Sequence, residues 1–291
     1  MAVLGLDIGG SKVAAALVDA DGKLLRTAHR PTPGAQVWGS CLEVLREVAD
    51  GVHVSAIGIG CAGPIDVHTE TVSPLNIVEW RGFPVVDAVA EEFAGAYVRL
   101  GGDGTCMAVA EHRFGAGRGT ADLLGVVAST GVGGGLLLDG RVVGGRTGNA
   151  GHVGHIVVEP DGARCACGGV GCLEAVASGP AAVRWARGRG WPGSDAVALA
   201  ADARAGDEVA VAALARAGRG LGQAFASTAA LVDVDLVVLG GGFAASGPPL
   251  WEPLHAAVAR YAGLNFTRGL RVLPAALGAA AGLVGAAALV F

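Results

Sequence analysis

One histidine and three cysteines of this chain are spaced like the ligands of a metal ion. His155 is followed by Cys165, Cys167 and Cys172, and turn glycines lie among the cysteines. One imidazole and three thiolates form the Cys₃His set of a closed tetrahedral zinc site, and soft thiolates select zinc over magnesium or calcium. The four residues could also be ordinary buried side chains without a metal. The number and spacing of the ligands favour a structural Zn²⁺ ion that holds a long loop together.

Glycine-rich turns follow three of the expected strands and could bind phosphate. Backbone N–H groups approach an anion closely at glycine, and neighbouring hydroxyls donate to phosphate oxygens, so two such turns can hold a triphosphate. Asp7, in the first turn, can hold Mg²⁺ through water, because magnesium keeps most of its hydration shell. The residues expected to bind ATP and its magnesium are Asp7, Gly9, Gly10, Ser11, Lys12, Thr130, Gly131, Gly133, Gly240, Gly241 and Gly242.

A competing nucleotide motif is present between Gly58 and Gly63, which have the GxGxxG spacing of dinucleotide sites. Pro64, Ile65 and Val67 follow where a helix should begin, so this segment is not expected to bind a dinucleotide. The sequence also has no Walker A pattern. The predicted phosphate chemistry is therefore not of the P-loop kind.

Composition indicates a globular protein that acts on small molecules. Hydrophobic residues make up 52% of the 291 residues, which is enough for a large core and two lobes. The net charge of −5, without a basic cluster, argues against a nucleic-acid partner. Cys41, Cys61 and Cys106 lie in apolar segments as reduced thiols do, and the N-terminus lacks a signal-like run, so a cytoplasmic location is expected. The apolar C-terminal segment is short of the roughly 20 residues of a membrane span and predicts a packed helix.

The elements that must position these residues fall into two similar groups. Each group opens with a β-meander around a glycine turn, which predicts an α/β protein with two related lobes and a cleft between them. We expect a small lobe formed by 1–103 and 275–291, and a large lobe formed by 104–274 that carries the zinc loop. The expected strands are 2–7, 13–18, one after the turn at 19–22, 54–60, 123–129, 135–138, 234–239 and 270–273. The expected helices are 36–50, 85–95, 104–114, 178–190, 194–204, 207–230, 249–261 and 275–290.

Over nearly its whole length the chain resembles the ROK family of sugar kinases and repressors, within the actin-like ATPase superfamily. LDIGGSK resembles the first phosphate turn, STGVGGG the second and VVLGGGFAASG the adenosine turn. GNAGHVGHIVVEPDGARCACGGVGCLEAVASG resembles the family's signature and zinc loop. The resemblance implies a two-lobed actin-like ATPase (ribonuclease H-like) fold, with a nucleotide and sugar cleft between the lobes. It also implies a homodimer or homotetramer.

The implied activity is transfer of the γ-phosphate of ATP to a hydroxyl, the 6-OH, of a hexose or N-acetylhexosamine such as glucose or N-acetylmannosamine. Asp103, in GGDGTCMAVAEH, is implied as the catalytic base. His155 is implied to serve both the sugar and the zinc. The residues implied to line the sugar pocket are Gly63, Asn76, Asp103, His152, His155 and Glu174.

Two positions depart from the family pattern. Gly102 stands where family kinases carry Asn before the catalytic Asp, so one sugar-hydroxyl contact is missing or is supplied elsewhere. His152 replaces the Glu of the usual Glu-x-Gly-His, a form associated with members similar to N-acetylmannosamine kinase. Both departures predict that plain glucose is a poor substrate.

Other interpretations remain open at the level of sequence. Asp103 could simply cap a helix, Glu174 could be a solvated carboxylate at a helix end, and His152 could be a loop histidine. A repressor would need a DNA-binding segment, for which Asp7 leaves no room ahead of the first turn. The sequence is also compatible with a cyclitol or other sugar-like acceptor, with a catalytically weak sugar sensor, and with polyphosphate in place of ATP.

Overall fold

The computed structural model describes residues 2–291 and contains two five-stranded sheets. In chain order, the elements of residues 2–114 are β1 (Ala2–Ile8), β2 (Lys12–Asp19), β3 (Leu24–Pro31), α1 (Val37–Ala49), β4 (Ala56–Cys61), β5 (Ile65–Asp66), β6 (Thr71–Val72), α2 (Val85–Glu92), β7 (Tyr97–Gly102) and α3 (Asp103–Phe114).

The remaining elements complete the second sheet and its helices. They are β8 (Leu123–Ala128), β9 (Val132–Leu138), β10 (Arg141–Val142), α4 (Glu174–Ala177), α5 (Gly179–Arg187), α6 (Ala196–Arg204), α7 (Glu208–Val232), β11 (Leu236–Gly240), α8 (Pro248–Tyr261), β12 (Arg271–Pro274) and α9 (Ala281–Ala288). Only α3 separates the last strand of the first sheet from the first strand of the second, whereas α4 to α8 lie between strands of the second sheet. Among residues 2–291, none of the helices combines the length and apolarity that crossing a bilayer requires.

The two large sheets have the same topology. The first has the order β3-β2-β1-β4-β7, and the second has the order β10-β9-β8-β11-β12. In the first sheet β1 is central, β4 and β7 run parallel to it, and β2 and β3 form an antiparallel edge. In the second sheet β8 is central, β11 and β12 run parallel to it, and β9 and β10 form an antiparallel edge. The repeated meander predicted from the sequence is therefore confirmed as a repeated sheet.

Small residues allow α9 to lie directly on the first sheet. β1 and β4 are almost wholly buried, as expected for parallel strands covered on both faces. One face packs on α1 and α2, and the other receives Leu283 and Ala287 of α9. A Cβ at Gly58 would overlap the carbonyl of Ala286. Gly58 and Gly60 of the GxGxxG segment therefore lie in β4, against α9.

The chain folds into two compact units. The first runs from the N-terminus to Ala121, from Gly135 to Gly151 and from Ala276 to Phe291; the second comprises Asp122–Gly134 and His152–Ala275. This division differs from the predicted one, which placed 104–121 and 135–151 in the large lobe. The physical reason is packing: Gly285 of α9 lies against the backbone of Cys106 in α3, and Gly135 lies against the backbone of Thr105.

Three other local predictions need correction. β9 begins at Val132, so glycines expected in a turn are in a strand. The C-terminal helix begins at Ala281 and not at 275, because the amides of Ala276 and Leu277 are bound by the carboxylate of Glu111. β7 was not predicted, because it alternates between exposed and partly buried residues and ends in two glycines.

Candidate active site and metal centre

Asp103 lies at the junction of a strand and a helix in the first unit. β7 ends at Gly102 and α3 begins at Asp103, whose Oδ1 accepts a hydrogen bond from the amide of Gly104 at 2.6 Å. Gly102 has extended backbone angles, φ −67° and ψ 154°, and a Cβ there would meet only Thr105 Oγ1 at 3.9 Å. The cap position of α3 is therefore Gly102, and Asp103 is the first helical residue, whose carboxylate binds one amide of the first turn.

Asp7 lies close to Asp103. Burial raises the pKa of Asp7 to about 6, the negative charge of Asp103 contributes to this rise, and Lys12 opposes it. Cys61 and Cys106 lie in the same buried region, where loss of water raises the pKa of each thiol well above its usual value. Two carboxylates among neutral thiols form a site that would favour a bound cation.

The first phosphate turn is held in place by its own backbone and by Thr32. The amide of Gly9 donates to the carbonyl of Lys12 at 2.9 Å, and Thr32 donates its hydroxyl to Gly9 at 2.7 Å and its amide to Ser11 at 3.0 Å. A Cβ at Gly10 would lie 2.6 Å from the Cβ of Asn76. Asn76, implied as a sugar residue, therefore lies against the first turn.

Gly63 is followed by the short strand β5, which begins at Ile65. Asn149, which was not predicted to have a role, binds the backbone of that strand. The side-chain amide of Asn149 accepts a hydrogen bond from the amide of Ile65 at 3.0 Å and donates one to its carbonyl at 2.7 Å. It thus satisfies both backbone groups of that residue. The signal in the sequence was its place in GNAGHVGH, where the histidines are the more conspicuous residues. Gly63, Asn76 and Asp103 all belong to the first unit.

The second and third glycine turns border a cavity of about 550 Å³ that lies wholly in the second unit. Of the residues predicted to bind ATP, Thr130 and Gly242 line it. Gly131 accepts from the amide of Ser129 at 2.8 Å, and Gly241, at φ 93°, lies so close to Ala128 that a Cβ would overlap its carbonyl. Gly133 lies in β9 and Gly240 ends β11, so neither belongs to a turn.

The walls of this cavity are mostly apolar, with polar groups at a few places. Val197 lines it with 80% of its surface exposed. Such a cavity suits a flat apolar ring with polar substituents. Sequence reasoning missed most of the lining, which comes from the beginnings of α5 and α6 and from the segment after β11: Gly179, Pro180, Val183, Arg184, Ser194, Asp195, Ala196, Val197, Ala200, Arg204, Phe243, Ala245 and Ser246.

The four predicted metal ligands converge in the second unit. One ligand atom from each of His155, Cys165, Cys167 and Cys172 lies within 4.8 Å of the other three. Cys167 Sγ is 3.7 Å from Cys172 Sγ, and Cys165 Sγ is 3.7 Å from His155 Nδ1. Thiolates about 2.3 Å from one metal ion at the tetrahedral angle would lie about 3.8 Å apart. Both the donor atoms and their spacing fit Zn²⁺.

A tight hairpin brings the cysteines together. The amide of Cys165 donates to Gly169 at 2.8 Å, and Gly168 and Gly171 have the left-handed φ values of 92° and 72° that favour glycine. The amide of Gly169 lowers the pKa of Cys167, whereas burial raises the pKa of Cys172 to about 12. Metal binding must therefore displace protons from the thiols, most readily from Cys167.

His152 and Glu174 each contact a member of the metal cluster, His155 and Cys165 respectively. The ring of His152 stacks on that of His155, with centroids 5.0 Å apart. Burial and His155 lower the pKa of His152, and Glu174 opposes the shift. A neutral imidazole can both donate and accept a hydrogen bond. Glu174 opens α4 and accepts from the amide of Val132 at 2.9 Å, so it is not a merely solvated carboxylate at a helix end.

Comparison with known proteins gives concordant matches over the whole chain. A family model described as the ROK family matches residues 3–291. A glucokinase of Thermotoga maritima is 34% identical over 308 residues, covering 99% of this chain and 96% of its own. An N-acetylmannosamine kinase of Shigella flexneri is 34% identical over 244 residues, covering 83% of each. The crystal structure of a ROK family glucokinase from Streptomyces griseus, in complex with glucose and AMPPNP, matches with a TM-score of 0.88 at 35% identity, covering 100% of this chain and 99% of that one.

Proposed function

The chain belongs to the ROK family, and on that premise we propose that it is an ATP-dependent sugar kinase. Its two sheets of equal topology are the halves of the two-lobed actin-like ATPase fold. The reaction proposed is transfer of the γ-phosphate of ATP to the 6-OH of a hexose or N-acetylhexosamine. The observation that carries it is the position of Asp103, at the start of α3 and close enough to Asp7 to raise its pKa.

Asp103 is the proposed general base. Its carboxylate takes the proton of the acceptor hydroxyl while that oxygen forms a bond to the γ-phosphorus. The bond from the γ-phosphorus to the bridging oxygen breaks, and ADP leaves with the electron pair. In a loose phosphoryl-transfer transition state the protein mainly positions the reactants, and a general base contributes about 10²- to 10⁴-fold in rate.

The nucleotide is proposed to occupy the cavity of the second unit. Apolar walls that include Val183, Val197 and Phe243 suit a base, and the turn at Ser129 and Thr130 opens on the same cavity with hydroxyls for phosphate. These walls favour ATP over inorganic polyphosphate as donor, because polyphosphate has no ring to cover them. The first turn, Gly9 to Ser11 between β1 and β2, is proposed to contact phosphate through its backbone amides, and Lys12 at the start of β2 through its ammonium.

The acceptor is proposed to contact the residues that the family resemblance implies for the sugar, Gly63, Asn76, Asp103, His152, His155 and Glu174. Neutral His152 can donate a hydrogen bond to an acetamido carbonyl and accept one from a hydroxyl, whereas the carboxylate of a glutamate at this position could only accept hydrogen bonds. Gly102 offers no side chain to the sugar, although space for one is present. An N-acetylhexosamine is therefore favoured over glucose.

Asp7 is proposed to hold the magnesium of the nucleotide. A carboxylate whose pKa is raised by burial and by a second carboxylate gains from a divalent cation, and oxygen is the ligand that Mg²⁺ prefers. The ion, when bound, would offset the charge of the phosphates. Lys12 supplies a fixed positive charge to the same region.

His155, Cys165, Cys167 and Cys172 are proposed to hold one structural Zn²⁺, which would fix the hairpin and the residues on either side of it. Protein purified without chelator should contain about one zinc per chain by elemental analysis. Replacing Cys167 by Ser should lower the zinc content. Replacing Cys41, a buried thiol outside the cluster, by Ser should leave the zinc content unchanged. Zinc-free protein from the parent chain would remove the metal from the proposed function.

A cyclitol kinase is the second candidate, because Gly102 and His152 both alter the expected sugar contacts. A coupled ADP-release assay over glucose, mannose, N-acetylmannosamine, N-acetylglucosamine and inositols separates these functions. We expect turnover with at least one N-acetylhexosamine, and ATP to be a better donor than polyphosphate. Absence of ADP release with every acceptor, in protein that still binds a sugar, would identify a sensor.

A further inference from the structure

The carboxylate of Glu174 makes a hydrogen bond to the second glycine turn. Its Oε2 accepts from the amide of Val132 at 2.9 Å, and a Cβ at Gly131 would lie 2.6 Å from the same oxygen. Glycine at 131 is therefore required for the carboxylate to reach the turn. On the other side, the amide of Gly179 donates to the carbonyl of Ser129 at 2.9 Å. The turn of residues 129–132 is thus held at both ends by the segment 174–179.

That segment begins next to the zinc hairpin. Cys172 lies two residues before Glu174, and Leu173 donates its amide to Ile156 at 2.8 Å. The amides of Val158 and Glu159 both donate to the carbonyl of Gly171, at 2.9 and 3.2 Å. The bidentate ion pair of Glu159 with Arg216 connects this part of the chain to α7. A metal ion that joins His155 to Cys172 therefore also restricts where the Glu174 carboxylate can lie.

We propose that Glu174 is a positioning residue for nucleotide binding, through which the zinc hairpin holds the phosphate turn in its binding conformation. The inference rests on the proposed function, and it differs from the implied sugar contact of Glu174. A turn already fixed in its bound conformation loses less entropy when phosphate binds, which raises affinity. The opposing effect is repulsion between the carboxylate and phosphate. The nucleotide affinity of Glu174 variants measures the balance between this repulsion and the hydrogen bond that fixes the turn.

The first test measures the dissociation constant of Mg–AMPPNP by calorimetry without any sugar. Glu174→Ala should weaken nucleotide binding about tenfold, the loss expected for one charge-assisted hydrogen bond. Glu174→Gln keeps an acceptor oxygen of the same reach, so it should recover most of the affinity. Glu252→Ala, at an exposed glutamate of α8, is the matched control and should change nothing. Circular dichroism and zinc content identify any variant that fails to fold.

The second test asks whether zinc and Glu174 act through one route. Removal of zinc from the parent protein should raise the AMPPNP dissociation constant by a factor similar to that of Glu174→Ala. In Glu174→Ala itself, zinc removal should add little, because the connection is already broken. Unchanged or tighter binding of AMPPNP to both Glu174 variants would overturn the inference while leaving the kinase proposal intact. A parent protein that binds no AMPPNP would overturn both.

Discussion

At the scale of single residues, Asp7 and Asp103 are adjacent carboxylates with different surroundings. Asp103 accepts an amide hydrogen bond at the start of α3. Asp7 has lost water and faces the charge of Asp103, so its pKa rises to about 6. Environments that separate the behaviour of two carboxylates are typical of active sites. The difference leads to separate predictions for the two residues.

Replacing Asp103 by Asn should lower kcat by about 10²- to 10⁴-fold, because the amide cannot take the hydroxyl proton. The dissociation constant of AMPPNP should stay within about twofold, since the cavity that we assign to the nucleotide lies in the second unit. Steady-state kinetics and calorimetry measure the two quantities. Asp21→Asn, at an exposed hairpin turn, is the control. Turnover within a few-fold of the parent would remove Asp103 from the proposed mechanism.

Replacing Asp7 by Asn should stabilise the magnesium-free protein at neutral pH. The pKa of Asp7 in the folded protein, about 6, lies above its ordinary 3.8, so ionisation lowers stability as the pH rises between these values. The variant should therefore gain about 1 to 2 kcal/mol at pH 7.5, after allowance for partial exposure, and about nothing at pH 4. Urea unfolding at the two pH values measures this. A variant less stable than the parent at pH 7.5 would contradict it.

Replacing Gly102 by Asn should be tolerated and should improve glucose as a substrate. The backbone at 102 is extended, a Cβ meets nothing closer than 3.9 Å, and Asn is a favoured residue before a helix. One added hydrogen bond to the sugar is worth roughly 0.5 to 1.5 kcal/mol, so kcat/KM for glucose should rise several-fold. An unchanged kcat/KM in a folded variant would show that position 102 does not contact the acceptor.

At the scale of elements, α3 is held at its far end by Glu111, which is fully buried. Its carboxylate accepts from the amides of Ala116 at 2.8 Å, Ala276 at 3.1 Å and Leu277 at 2.8 Å. It thereby joins the end of α3 to the chain that enters α9. No motif in the sequence indicated this role, because a lone glutamate late in an amphipathic helix usually lies in solvent.

Replacing Glu111 by Ala should destabilise the protein by about 3 to 5 kcal/mol, because three amides lose one shared buried acceptor. Glu111→Gln should have a smaller effect, since one oxygen remains. Urea unfolding gives both values. Glu47→Ala, at an exposed position of α1, should cost less than about 1 kcal/mol. A loss below about 1 kcal/mol for Glu111→Ala would mean that water replaces the carboxylate.

Elements whose signal is local were predictable from the sequence. The strands β1, β2 and β8 and the helices α1, α7 and α8 follow apolar periodicity within a few residues of the expected bounds. Elements decided by distant partners were not. α9 begins late because Glu111 binds the chain before it, and β9 includes glycines because Thr105 approaches them. A pattern of neighbouring residues carries no information about such partners.

At the scale of the whole molecule, the repeated meander predicted the repeated sheet, but not the assignment of α3 to the first unit. For the candidate site, the spacing of the four metal ligands predicted a cluster, and the structure brings the ligands together. The catalytic and binding roles of the site residues stay predictions. The cavity walls were missed because helix starts such as Ser178 and Asp195 look like ordinary caps.

The confinement of the cavity to one unit has a kinetic consequence. Because every residue that lines it belongs to the second unit, the nucleotide needs no group from the first unit to complete its base pocket. Either substrate can then bind first, and we expect random-order addition rather than an obligatory sequence. Double-reciprocal plots should intersect, and ADP should compete with ATP at every sugar concentration. A kinase of this kind can bind ATP before the sugar arrives, so the sugar concentration would then determine its rate of turnover.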